Sequence, residues 1–422
     1  MNAVVAPPAG YREAYAAVAP TGHASIDAAR AAAYARFEEL GFPGPREEAW
    51  KYTSLRRLAA RRFAPPAGDA TAMADASRSL HLRDGRLLGA ARLPRGVRLR
   101  RLGEVLADGD AVAALLRVPA GGGTERFAAL NAALATDVLL LDVAEGMQVE
   151  DEIRVLFEAA GAGAMSHPRL VVRVARGAAA RLVVEHSGDD GEHFANACLD
   201  LEVGADARLD LHRLQAHGDR TYAIERIDAT LAQRATFTMH DAALGAAQAR
   251  LDLNVRLAAP GATVEAHGLF LADGSRHHDT HVRVDHLSPA TASLTHYRGI
   301  AAGRGRGVWV GKAVVHPGAQ GANARQSSRN LLLQPGAEID TRPELEIYAD
   351  DVQCSHGATT GQLDPAAMFY LRSRGLDEAT ARAVLTRAFA APVLSAAGSG
   401  DWARAIHAVL DGRLASLIGE AA

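Results

Sequence analysis

From Asp137 onward the chain repeats itself. A small-residue turn recurs in "EGMQV", "RGAAARL", "VGADARL", "AQRATF", "PGATV", "SPATASL", "PGAQG" and "PGAEI". Counting from Gly146 through Gly177, Gly204, Gln233, Gly261, Pro289, Gly318 and Gly336, the steps are 31, 27, 29, 28, 28, 29 and 18 residues. A period in this range marks stacked units, none of which can bury an apolar face alone. Alternation within the units, as in "ARLDLHRL" and "VEAHGLFL", makes them β. Each full step holds two short strands and their turns, so the predicted body is a flattened β-solenoid with Gly, Pro and Ala at its corners. An eight-bladed propeller is the rival, but a blade needs about 40 residues or more.

Histidines recur with the units at His186, His212, His240, His267 and His296. In register they would form a column on strands about 4.8 Å apart, either stacked polar side chains or a place for a transition metal.

The flanks read as helical. Ser25 is a candidate cap for a helix carrying Ile26, Ala33, Tyr34, Phe37 and Leu40, which Gly41 and Pro43 stop. "PREEAWKYTSLRRL" starts a second helix, "APPAGDATAMADAS" (Ala64 to Ser77) is a loop, "LHLRDGRLL" is a hairpin around Asp84-Gly85, and "ERFAALNAALAT" is helical again. After the repeats, Asp364 and Pro365 begin a helix that Gly375 stops. Ala381, Val384, Leu385, Ala388 and Phe389 then form a one-sided apolar stripe, and Trp402, Ile406, Val409 and Leu417 suggest another beyond Pro392. These stripes either cap the solenoid or dock a partner. The expected organisation is a mostly helical region over 1–136, a β core over 137–361 and a helical region over 362–422.

Composition narrows the function. Of the 422 residues, 48% are apolar and 23% charged, and the net charge of -3 argues against a general nucleic-acid or anionic-membrane binder. No apolar run reaches the roughly 20 residues of a membrane span, and "MNAVVAPPAGYREAY" lacks a signal peptide's basic start and apolar core, so the expected location is cytoplasmic. "GRGVWVGKA" fails as a phosphate loop, with Arg306 where glycine is required and Ala313 in place of Ser or Thr. "HHDTH" (His277 to His281) has helical zinc-site spacing but lacks the glutamate and runs into the strand-like "VRVDH". No Gly-x-Ser-x-Gly elbow supports a serine hydrolase.

The two cysteines, Cys198 and Cys354, cannot supply the four thiolates usual for a finished iron–sulfur cluster. In "YADDVQCSHGATTGQLD", Cys354 and His356 lie two apart and share one side of an extended chain. His356 or nearby backbone would bias the thiol toward the metal-binding thiolate, although a lone Cys-x-His also reads as ordinary packing.

The wider string "RNLLLQPGAEIDTRPELEIYADDVQCSHGATTGQLDPAAMFYLRSRG", Arg329 to Gly375, closely resembles the C-terminal signature of the SufB/SufD family, scaffold subunits of the SUF iron–sulfur cluster assembly system. "EEAWKYTSLRRL" and "FAALNAAL" extend the resemblance over essentially the whole chain, and the "WKYT" segment and scarcity of cysteine are similar to the SufD branch. The resemblance implies a mainly β fold, a right-handed parallel β-helix between helical segments. It implies a heterodimer with SufB across the β-helix edge, a copy of the ATPase SufC docked on the C-terminal helices (Val384, Leu385 and Phe389), and a homodimer as an option for the isolated chain. His356 matches the histidine that faces a SufB cysteine where a nascent cluster forms, and Cys354 matches the motif cysteine beside it. No stable cofactor is then expected in the isolated chain, which would be a non-enzymatic scaffold. A polysaccharide-active β-helix enzyme and a metal-free homodimeric interaction protein are the alternatives.

Overall fold

The structure is a computed structural model that describes residues 7, 9–44, 46–66, 79–89, 92–107, 115–119, 123–161, 163–398 and 400–419. The repeat resolves into a parallel β-solenoid of two facing sheets. The first sheet stacks Ile153–Ala159, Ala179–Gly188, Arg208–Gln215, Thr236–Ala243, Thr263–Ala272, Ala292–Ala301, Ala322–Leu332 and Val352–Gly361. The second stacks Val138–Val143, Arg169–Val174, Phe194–Val203, Tyr222–Leu231, Gln248–Leu257, His277–His286, Arg306–Val315 and Glu338–Ile347. "GRGVWVGKA" is therefore mostly a strand, not a phosphate loop.

Period-two alternation sends every second side chain inward, and unbroken register stacks like positions into columns. Leu209, Phe237 and Val264 form one inward column of the first sheet, and Leu211, Met239 and Ala266 another. Leu199, Ile227, Leu253 and Val282 answer from the second. Corners turn through positive φ at Gly146, Gly177, Gly261 and Gly318, as their spacing predicts; elsewhere the turn falls on Asp206, Arg234 and Ala290, one or two residues past the counted position.

One glycine in the interior is set by volume. Gly268 pairs with Tyr297, and a Cβ there would lie 1.9 Å from Tyr297 Cε1. Tyr297 is buried against Trp309 and has nowhere to go. Gly268→Ala is expected to lower the unfolding free energy by about 1–3 kcal/mol, read by urea denaturation. An unchanged midpoint would contradict this packing.

Before residue 137 the chain also adds strands. Ser79–Arg83 and Arg86–Gly89 form the predicted Asp84-Gly85 hairpin, and Ser79–Arg83 joins the first sheet beside Ile153–Ala159. Val97–Arg101 lies antiparallel on Val138–Val143. The predicted loop Ala64 to Ser77 falls mostly outside the described residues.

Two distant motifs dock on the outer face of the second sheet. The helix Glu125–Leu134 buries its length there, with Asn131 Nδ2 donating to the Pro168 and Asn196 carbonyls. The "WKYT" segment packs beside it: Trp50 Nε1 donates to the Gly123 carbonyl, Arg250 lies 4.0 Å over the Trp50 ring, and the Thr53 hydroxyl donates to Asp279 at 2.6 Å. These contacts overrule the helix expected from "PREEAWKYTSLRRL", of which only a 3-10 turn at Glu48–Trp50 and the short helix Arg56–Ala59 exist. The Ala24–Leu40 helix forms as expected, but His23 holds its cap position and no side chain caps it.

At the other end, Glu378–Ala396 and Asp401–Gly419 lie over the outer face of the first sheet. Ala390, Val393, Leu394, Trp402, Ile406 and Leu410 pack on Leu214, Ala242, Leu269 and Ile300. The helix runs through Pro392 without a break, so the expected second stripe begins later than that proline. The helices clasp the solenoid's side and do not cap its end. No described helix is long and apolar enough to cross a membrane.

Candidate functional site at the last turn

The solenoid ends on two open strands. Glu338–Ile347 borders the second sheet and Val352–Gly361 the first, each with one side of its backbone unpaired. They differ in protection. Glu338–Ile347 carries Pro343 and five charged side chains, devices that discourage strand addition. Val352–Gly361, "VQCSHGATTG", has no lysine, carboxylate or proline, and nearly all of it is exposed. Ile347 and Tyr348 stand 44% and 60% exposed next to it.

Cys354 and His356 end two inward columns. Leu209, Phe237, Val264, Ser293 and Ala324 lead in register to Cys354; Leu211, Met239, Ala266, Thr295 and Gln326 lead to His356. The His356 column turns polar near its end, at Thr295 and Gln326, while the Cys354 column passes through Ser293 and apolar Ala324, and no described residue lies above the last members. His356 is therefore exposed although it points the way a core residue would. Cys354 is half-buried against Val315, Ala319 and Ala322. Its thiol is pushed up by that burial, against a backbone hydrogen bond at Ala324 that draws it down. The expected bias toward thiolate is thus reversed in the isolated chain. Cys198 is fully buried, and burial pushes its thiol up to about 12.

Four of the five repeated histidines form the expected column. His212, His240, His267 and His296 pair strand to strand, with ring centroids 5.0, 5.3 and 6.2 Å apart. The column lies on the outer face, where Trp402 covers His212 and His240. His186 does not belong to it: His212 pairs with Val183, and His186 pairs with Gln215 on the inward face. There it meets Glu225 at 3.2 Å, which Arg213 also holds at 2.6 Å while reaching Asp241 at 2.5 Å. Burial alone would raise Glu225, but Arg213 and His186 draw it down to about 2. In "HHDTH", His278 faces away and bonds the Gly245 carbonyl, whereas on the other face His277 is tied to Thr53 at 2.8 Å and His281 to Asp279 at 2.9 Å. Among the described residues no group of three or more His, Cys, Asp or Glu is placed to hold a metal.

Buried neutral histidines make stability pH-dependent. Burial holds both His167 and His278 down at about 3. Below pH 6.5 the unfolded chain takes up protons that the folded chain refuses, so this stability is complete above 6.5 and is lost as pH falls toward 3. Each histidine is expected to withdraw about 1.4 kcal/mol per pH unit in that window. Urea denaturation at pH 7 and pH 5 reads the loss, and equal midpoints would contradict it.

The C-terminal residues expected to dock a partner are divided. Val384 is exposed, Leu385 is half-buried, and Phe389 is half-buried with Arg298 5.0 Å from its ring centre. The buried stripe of that helix is Ala381, Thr386, Ala390, Val393 and Leu394. The preceding helix, Pro365–Ser373, buries none of its residues, and Asp364 caps it through the Ala366 N–H. It leaves Phe369 74% and Tyr370 57% exposed beside a groove of ≈ 1050 Å³ lined by Leu333, Met368, Leu376 and Arg382. The Phe369-Tyr370 pair was legible as part of a capped helix, but not as exposed.

Fold and site define a class: a parallel β-solenoid whose last turn offers an unguarded strand edge with thiol and imidazole side by side. The SUF system FeS cluster assembly, SufBD core domain matches residues 157–389. An iron–sulfur cluster assembly SufBD family protein of Mycobacterium leprae is 30% identical over 86% of this chain and 88% of its own. The iron–sulfur cluster assembly protein SufD of Escherichia coli is 30% identical over 84% and 85%. A chloroplastic protein of Arabidopsis thaliana, ABCI7, is 30% identical over 64% and 58%. The chain belongs to the SufBD family, and its role lies in SUF iron–sulfur cluster assembly.

Proposed function

We propose that this chain is a non-enzymatic, cytoplasmic scaffold subunit that pairs with a SufB-type partner along Val352–Gly361 and builds a nascent cluster between the two chains. The observation that carries this reading is the open last turn, where an uncharged strand edge and two metal-binding side chains coincide. Backbone pairing along such an edge supplies affinity without a deep pocket. Cys354 and His356 are two donors, short of the four a cluster ordinarily takes, so the partner contributes the remaining ligands. His356 presents the accessible nitrogen. Cys354 becomes a ligand once iron displaces its proton, because coordination favours the thiolate. The cluster is cargo, held by the complex and passed on.

The groove beside Phe369 and Tyr370 is the proposed dock for the SufC-type ATPase. An exposed aromatic pair at the rim of a groove that mixes apolar Leu333, Met368 and Leu376 with charged Arg372, Glu378 and Arg382 is the kind of anchor that carries binding energy at interfaces.

Co-expression with the SufB-type and SufC-type proteins, purification through this chain and analysis for iron and sulfide test the reading. A three-component complex carrying both elements is expected. Recovery of this chain only as a homodimer, with the partners present, would oppose it.

A further inference from the structure

A second concave site lies on the other sheet from Cys354 and His356, between the "WKYT" segment and the corner where four second-sheet strands begin, at Tyr222, Gln248, His277 and Arg306. The cavity is ≈ 530 Å³, within the range that holds small molecules. Its lining includes Lys51, Arg56, Arg57, Arg276, Arg304 and Arg306, and not one carboxylate. For a chain of net charge -3 this is a local reversal.

The cations differ in availability. Arg276 is held by Asp219 and Asp273, and Arg306 by Glu338 and Asp340, all outside the cavity wall. Among the described residues, Lys51, Arg56, Arg57 and Arg304 have no carboxylate partner. The floor beneath them is fixed, since Thr53 is buried and bound to His277 at 2.8 Å and Asp279 at 2.6 Å, and Gln248 donates to the Ser54 carbonyl at 3.2 Å. The rings of Tyr52 and Tyr222 share the wall.

We propose that this cleft binds a phosphate-bearing small molecule of nucleotide size. Unpaired guanidinium forks match phosphate oxygens in geometry and charge. A tyrosine face beside them suits a flat ring. Neither feature is needed for the assembly role, so the site stands independently of it.

Calorimetric titration of the full chain with ATP and with inorganic pyrophosphate tests the proposal. Both are expected to bind, ATP more tightly. Combined Arg56→Glu and Arg304→Glu should weaken both by about tenfold or more, with the thermal midpoint unchanged because both side chains are exposed. Tyr52→Ala should weaken ATP and spare pyrophosphate, whereas Arg325→Glu, away from the cleft, should change neither. The proposal is overturned if neither probe binds, if the double variant binds as well as the parent, or if Arg325→Glu is equally damaging. Preference for a polyglutamate peptide over both probes would also overturn it.

Discussion

His356→Ala is expected to keep its fold and its partners and to lose cluster assembly. His356 ends an inward column with no described residue above it, so truncating it opens no cavity and breaks no side-chain hydrogen bond among the described residues. Exposed substitutions of this kind alter stability by about 0.5 kcal/mol or less. The imidazole nitrogen is nonetheless the accessible donor of the last turn, and the proposed site shared between chains could not replace a missing ligand from its own supply. The measurement is paired: recovery of the complex by affinity purification, and growth of a strain that depends on this pathway. Normal recovery with failed growth is the expected result. Full growth with an intact complex would refute the assignment, and activity lost only in step with the complex would make His356 structural. Cys354→Ser should be milder, because the family resemblance assigns the principal sulfur ligand of the proposed site to the partner chain.

Phe369→Asp is expected to abolish recovery of the SufC-type partner while leaving the solenoid folded. Phe369 is 74% exposed in a helix that buries none of its residues, so a carboxylate there costs the free chain little. In a docked interface the same carboxylate would be buried without a partner, a penalty of several kcal/mol. Phe389 is a poorer probe, since it packs on the solenoid and under Arg298 and its loss would disturb the clasp itself. Retention of the partner by a folded Phe369→Asp variant would remove this groove from consideration.

The solenoid was legible because its causes are local. Turn residues at a steady interval and period-two alternation act within a few residues, and stacking only repeats them. The same regularity put His212, His240, His267 and His296 in one column. It failed at His186, because inward or outward orientation depends on strand register, and a shift of an odd number of residues exchanges the two faces. The "WKYT" segment shows the opposite limit. Its helical propensity is local, but Trp50 and Thr53 gain more from Arg250 and Asp279, on two neighbouring strands two hundred or more positions away. For Cys354 and His356, the sequence by itself determined their spacing and shared face. Only the tertiary structure decided that the stack stops directly after them, leaving one half-buried and the other open. Termination of a solenoid depends on which neighbours are missing, and alternation within a strand carries no record of that.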